Sequence, residues 1–114
     1  MDFDFLETLI QEGTDVLLTE VIEHLTYDDA KKLLQFLSDS MAKNIVVTTP
    51  NRDFNKFYDI PDGEMRHEDH QFELTYDMFR ELILDTFKGR DYIIGGLGDS
   101  VDGIATTSFA VVKR

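Results

Sequence analysis

Glu20-Val21-Ile22-Glu23-His24 packs three potential metal ligands into five residues, after the apolar run Val16-Leu17-Leu18 and just before a helix start at Thr26. A second knot, Met65-Arg66-His67-Glu68-Asp69-His70-Gln71-Phe72-Glu73, carries the other two histidines of the chain. If the chain turns helically after the apolar run, Glu20, Glu23 and His24 stand at i, i+3 and i+4 and share one face. One histidine from elsewhere then completes a set of two carboxylates and two imidazoles, whose charge a single divalent ion neutralises. Mixed oxygen and nitrogen ligands with open positions suit Mg²⁺, Mn²⁺ or Fe²⁺, and sometimes Co²⁺. A structural zinc site normally uses thiolates, and there is no cysteine. His70 is the better fourth ligand and His67 the alternative, because Phe72 beside His70 can anchor the loop to the core. Glutamates at a helix start also favour the helix dipole with no ion involved. Spacing alone leaves both readings open.

The elements that must position these residues follow from periodicity. Phe3 to Gln11 reads as a short amphipathic helix ended by Gly13, and Asp15 to Thr19 as a buried strand. Thr26 is an N-cap, followed by Asp28 and Asp29 at the positive end of the dipole. Ala30, Leu33, Leu34, Leu37 and Met41 recur at helical spacing and carry the helix to about Ala42. Ile45 to Thr49 is β-branched and reads as a second buried strand, from which Pro50 forces an exit into a turn at Asn51. Residues 52 to 74, with Phe54, Phe57, Tyr58 and Pro61-Asp62-Gly63, have no clear period, as functional or mobile segments often do not. Thr75 caps a helix with Phe79, Leu82, Ile83 and Phe87 on one face, ended by Gly89. Tyr92-Ile93-Ile94 is a strand, residues 95 to 103 a loop, and Ile104 to Val112 a strand antiparallel to the previous one. Gly95-Gly96-Leu97-Gly98 precedes a strand, so no helix N-terminus is there to hold phosphate, and it reads as a flexible hairpin connection. The result is a single α/β domain over residues 1–114, with helices packed on a mixed sheet that ends in an antiparallel hairpin. Ligands of such sheets bind outside the carboxyl ends of the strands, where Glu20, Glu23, His24 and Asn51 lie.

Composition narrows the partners. The chain has 114 residues, 42% of them apolar, with a net charge of −12. That is one domain, and too apolar for disorder. No apolar stretch spans a bilayer, the N-terminus Met1-Asp2-Phe3-Asp4 is acidic rather than signal-like, and the lack of cysteine fits a reducing compartment. These features lead to the expectation of a cytoplasmic protein without membrane contact. The acidic field repels nucleic acid at long range. RNA contact must be weak and local, through a bound cation or Arg52, Lys56, Arg66 and Arg80. No Ser/His/Asp order reads as a nucleophilic triad.

The strings Glu-Val-Ile-Glu-His-Leu, Val-Val-Thr-Thr-Pro-Asn-Arg and Met-Arg-His-Glu-Asp-His-Gln-Phe-Glu-Leu-Thr resemble the HEN-type small-RNA 3′-terminal ribose 2′-O-methyltransferases. The closing pattern from Gly103 to Val111 resembles the family's last strand, and the resemblance runs over residues 14 to 114. It implies that Glu20, Glu23, His24 and His70 hold a Mg²⁺ or Mn²⁺ ion that grips the terminal ribose hydroxyls and serve as the catalytic set. Asn51, Arg52, Arg66 and His67 are the implied substrate contacts, Arg52 and Arg66 being the nearest basic residues for the terminal phosphate. The sequence departs from the family at Leu74, Thr75 and Tyr76, where a Trp and then Thr-Arg are usual.

A further departure lies at the front. The fold expected is the C-terminal, metal-binding half of a Rossmann-like class I methyltransferase sheet, with the usual first three strands and their glycine-rich loop absent. S-adenosylmethionine would then bind only if a partner or another segment completes the site. The strand at Val16 to Thr19 would have a bare apolar edge, which tends to pair with another chain. A homodimer, a complementing methyltransferase half, or a cover from Phe3, Phe5 and Leu6 is expected there. The functional expectation is the catalytic half of a divalent-metal-dependent RNA 3′-terminal 2′-O-methyltransferase. The alternative is a truncated, non-catalytic module that binds metal and a nucleotide end.

Overall fold

A computed structural model describes residues 2–61 and 63–114. Met1, in the acidic string Met1-Asp2-Phe3-Asp4, and Asp62, in the string Pro61-Asp62-Gly63, lie outside the described residues. Three α-helices, α1 (Asp4–Leu9), α2 (Tyr27–Asp39) and α3 (Tyr76–Thr86), combine with four strands, β1 (Asp15–Thr19), β2 (Asn44–Pro50), β3 (Asp91–Val101) and β4 (Ile104–Lys113). Two 3₁₀ segments, Ile22–His24 and Arg52–Tyr58, follow β1 and β2. The sheet order is β1-β2-β4-β3. β1 runs parallel to β2, and the other pairs are antiparallel, so the expected mixed sheet with a closing hairpin is present.

The caps work as their residue types dictate. Thr26 Oγ1 accepts from Asp29 N (3.1 Å) and Thr75 Oγ1 from Met78 N (3.2 Å). α2 buries Ala30, Leu33, Leu34 and Leu37, and α3 buries Phe79, Leu82 and Ile83. They close over one face of the sheet, with Ile45, Val47, Ala110 and Val112 in the same core. α2 stops at Asp39, short of the expected Ala42, and Met41 is exposed. The cause is Ser40, whose hydroxyl donates to Leu37 O (2.6 Å) and accepts from Ala42 N (3.2 Å), competing with the helical ladder. The Arg90 guanidinium then caps the frayed end by donating to the carbonyls of Ser38, Ser40 and Ala42.

Two expectations change at the strands. Pro50 stays in the sheet opposite Thr107. Asn51 N–H points to Thr106 O on β4, so the alternation turns the Pro50 nitrogen toward β1, where pairing has already ended at Thr19 and Thr48. Residues 95 to 103 are not a loop: β3 runs on through Gly95 and Gly96, opposite Phe109 and Ser108. A Cβ on Gly95 would lie 2.9 Å from Phe109 Cε1, and one on Gly96 2.5 Å from Ala105 Cβ, so the glycines let the hairpin close. Its turn is Asp102-Gly103, both at positive φ (52° and 79°), as a two-residue hairpin loop requires. α1 is shorter than expected and is tied to α2, where Phe3 stacks on Phe36 at 4.7 Å.

β1 is an edge strand, and the sheet face away from α2 and α3 carries a cross-strand apolar row, Leu17, Val46, Val111 and Ile93. Leu17 is 67% and Ile93 60% exposed. No described helix is long and apolar enough to cross a membrane.

Candidate metal centre

The site forms where parallel β1 and β2 end. Glu20 N–H still bonds Thr48 O (3.0 Å), but its φ of 57° breaks the strand with a left-handed residue. Such a conformation costs a non-glycine residue about 1–2 kcal/mol. It persists where the surroundings impose it, commonly at functional sites. The reversal drops Ile22, fully buried, into the core and starts the 3₁₀ turn Ile22–His24. The corner is therefore not the regular helical turn of the i, i+3, i+4 expectation, and Glu20 precedes the turn.

Glu23 has no exposed surface. Its Oε1 accepts from Thr49 Oγ1 (2.8 Å), while Oε2 is buried with no hydrogen-bond donor, 3.6 Å from His24 Nε2. A desolvated carboxylate oxygen without a partner is costly, and a cation is the natural compensation. The one other such atom among the described residues is the neutral hydroxyl of Ser108. His70 comes from the loop and meets His24 edge to face, centroids 5.0 Å apart. One ligand atom each from Glu23, His24 and His70 lie within 4.8 Å of one another. This donor set fits a hard or borderline divalent ion.

Glu20 borders this cluster without entering it. Partial burial of its carboxyl, then the negative charge of Glu23, raise its pKa above the ordinary value, against the pull of Arg66, His70 and a hydrogen bond from Thr48. His67 is exposed, faces Asp69 at 3.6 Å and lies 5.6 Å from the His70 ring centroid. Arg52 is exposed, with its backbone N–H bonded to Leu74 O. Asn51 is buried, and both ends of its amide have backbone partners, Asp53 N to Oδ1 and Nδ2 to Ala105 O. The Arg66 guanidinium donates to Asn55 Oδ1 and Asn51 O and lies against Phe54 and Tyr58. Burial lowers its pKa, against Glu73, Tyr58 and Glu20. Asn51 and Arg66 thus brace the loop with the same groups the sequence reading assigned to substrate.

Three residues escaped that reading: Thr49, the donor to Glu23, and Asn55 and Glu73, which hold the loop. Thr49 was legible only as a β-branched strand residue. Glu73 had a signal, since it stands three residues after His70, and the two side chains do meet. Phe72 anchors the loop as expected, against the core and Tyr27 (centroids 5.2 Å).

No family model matches the chain. The small RNA 2′-O-methyltransferase of Drosophila melanogaster is 34% identical over 100 residues, which cover 79% of this chain and 25% of that protein. The protein of the same name from Caenorhabditis elegans is 34% identical over 65 residues, 56% of this chain and 15% of its own. Among solved structures, the small RNA methyltransferase HEN1 superposes with a TM-score of 0.81 at 27% identity, covering 94% of this chain and 14% of that one. A chain of the Pnkp1/Rnl/Hen1 RNA repair complex gives 0.76 at 28% identity, over 90% of this chain and 22% of that one. This chain therefore spans a quarter or less of the curated relatives just described. A SAM-dependent methyltransferase from Archaeoglobus fulgidus shares the fold, with a TM-score of 0.62 at 14% identity over all of this chain and 66% of that one. The motif order, the partial Rossmann-like sheet and these likenesses agree: the chain belongs to the HEN-type small-RNA 2′-O-methyltransferase family and represents part of its class I methyltransferase fold.

Proposed function

We propose that this unit supplies the metal-holding, ribose-end side of an RNA 3′-terminal 2′-O-methyl transfer. The observation that carries the reading is Glu23 Oε2, a buried carboxylate oxygen without a donor, beside His24 in a cluster with His70. Glu23, His24 and His70, joined by Glu20 at the rim, would hold Mg²⁺ or Mn²⁺. When bound, such an ion lowers the pKa of a ribose hydroxyl and orients it for attack on a methyl donor. Thr49 keeps Glu23 in place from below. Glu20 and His24 are the solvent-facing members, and the second oxygen of Glu20 is the acceptor through which a hydroxyl proton would reach water. His67 and Arg52, both exposed, are proposed to meet the terminal nucleotide. At a net charge of −12, that contact is local and salt-sensitive.

The methyl donor in this reading is S-adenosylmethionine, bound with the help of a complementing methyltransferase segment. The open edge of β1 and the apolar row Leu17, Val46, Val111 and Ile93, exposed at both its ends, support such a partner, since an unpaired strand edge and a contiguous exposed apolar patch are surfaces that another chain covers. A second copy of the chain is the other occupant to test.

Mn²⁺ calorimetry on the chain, with Glu23→Ala and His70→Ala in parallel, tests the proposal. One ion per chain, lost in both variants, is the expected result. No heat of binding in the parent chain, or binding that survives Glu23→Ala, overturns it.

A further inference from the structure

We infer that Glu73 is a positioning residue for the metal centre: it fixes the tautomer of His70, so that Nε2 is the atom offered to an ion. The inference rests on the metal-site reading above but concerns a residue outside the ligand set.

The geometry is a chain of hydrogen bonds with one allowed polarity. Arginine has donors only. Arg66 Nε donates to Asn55 Oδ1, which forces the Asn55 amide to turn its NH₂ the other way. That NH₂ donates to Glu73 Oε1 at 2.7 Å. Arg66 N–H donates to both oxygens of the same carboxylate, at 3.2 and 3.0 Å. The Glu73 side chain has no exposed surface, and its remaining contact is His70 Nδ1, 2.5 Å from Oε2. An ionised carboxylate accepts and cannot donate, so the proton in that contact sits on Nδ1. The lone pair of the neutral ring is left on Nε2. A carboxylate behind a metal-binding imidazole also raises the basicity of the ligating nitrogen.

Glu73→Gln keeps the shape and reverses the polarity at one atom. The Gln oxygen is claimed by the donors on Asn55 and Arg66, so its NH₂ faces His70 Nδ1. Nδ1 must then accept, and the ring proton moves to Nε2. A role confined to bracing the loop has no such consequence, and Asn55→Ala separates the two. It removes a donor to Glu73 and loosens the loop, yet leaves the carboxylate facing His70.

The test is the ¹⁵N NMR tautomer of His70 in the metal-free chain at alkaline pH, alongside Mn²⁺ calorimetry. The parent chain is expected to show Nδ1–H. Glu73→Gln is expected to show Nε2–H and to bind Mn²⁺ about 10- to 100-fold more weakly, the usual range for such a partner. Asn55→Ala should keep Nδ1–H and most of the affinity. Nε2–H in the parent chain overturns the inference whether or not any variant folds. So does a folded Glu73→Gln that keeps Nδ1–H, or an Asn55→Ala that matches Glu73→Gln in both readouts. A parent chain with Nδ1–H that flips in Glu73→Gln, yet binds no Mn²⁺, sinks the metal reading and leaves the role of Glu73 standing.

Discussion

The two histidine-bearing segments are held by different physics. The corner from Glu20 to His24 is fixed from beneath: Ile22 is fully buried in the main core, and the preceding strand pairs with β2 up to Thr19. The segment from Met65 to Glu73 has no such anchor until Phe72. It is held by Arg66, Asn55 and Glu73, and its amide at Gln71 reaches across to Glu23 O (2.7 Å). One half of the candidate centre is an outgrowth of the fold, and the other is a polar latch laid over it. The first half should therefore fail only with the whole domain, and the second should open alone.

Ile22→Ala is the harshest way to break that contrast. Truncating a fully buried isoleucine costs about 2–5 kcal/mol, a large share of the stability of a domain this size. Chemical denaturation should show a single transition moved to lower denaturant, with the corner and core probes moving together. If the corner loosens while the core transition stays where it was, the corner is not part of the core. Arg66→Ala aims at the other half. Losing its guanidinium leaves Asn55 Oδ1 without its donor and Asn51 O with Phe54 N–H alone, and hydrogen bonds to charged groups are worth about 1.5–3 kcal/mol each. Hydrogen exchange should speed up at the amides of Arg66 and Gln71, with no change at Val46 and Val47 in β2. Uniform acceleration would mean that latch and core are one cooperative unit.

The same contrast explains what could be read from the sequence. Whatever rests on a buried apolar face was legible: the helix faces with Leu33, Leu34 and Leu37 or Phe79, Leu82 and Ile83, and the strand with Ile45 and Val47, whereas β1, expected to be buried, is an exposed edge strand. Each helix face is a periodic apolar signal ending at a recognisable cap. Whatever rests on polar groups meeting across the chain was not legible. Arg66 looked like a phosphate ligand because a lone arginine in an aperiodic loop carries no sign that two asparagines will claim it. Glu73 looked like part of a motif, although its oxygens are shared among Asn55, Arg66 and His70. The end of α2 failed for a related reason: apolar spacing continued to Met41, and the Ser40 hydroxyl overruled it. The hairpin, by contrast, had a readable sign in Asp102-Gly103, masked by the glycines at Gly95 and Gly96 that looked like loop.

The smallest expected effect sharpens the comparison inside the corner itself. Glu20 sits at φ 57° with a side chain beside the cluster, so the residue combines a backbone penalty with a carboxylate proposed to join the ion's ligands. Glu20→Ala and Glu20→Gly both delete the carboxylate, and both remove its repulsion with Glu23. They differ in the backbone: alanine still pays the left-handed penalty of about 1–2 kcal/mol, and glycine does not. Glycine gives back part of that through its freer unfolded chain, about 0.5–1 kcal/mol. The Gly variant should therefore be more stable than the Ala variant by up to about 1 kcal/mol, read from paired denaturation curves. Mn²⁺ affinity should fall equally in the two. A Gly variant less stable than the Ala variant by about 0.5–1 kcal/mol would mean that the left-handed corner carries no strain. A Gly variant that binds Mn²⁺ better than the Ala variant would mean that Glu20 acts through the path of its backbone rather than through its carboxylate.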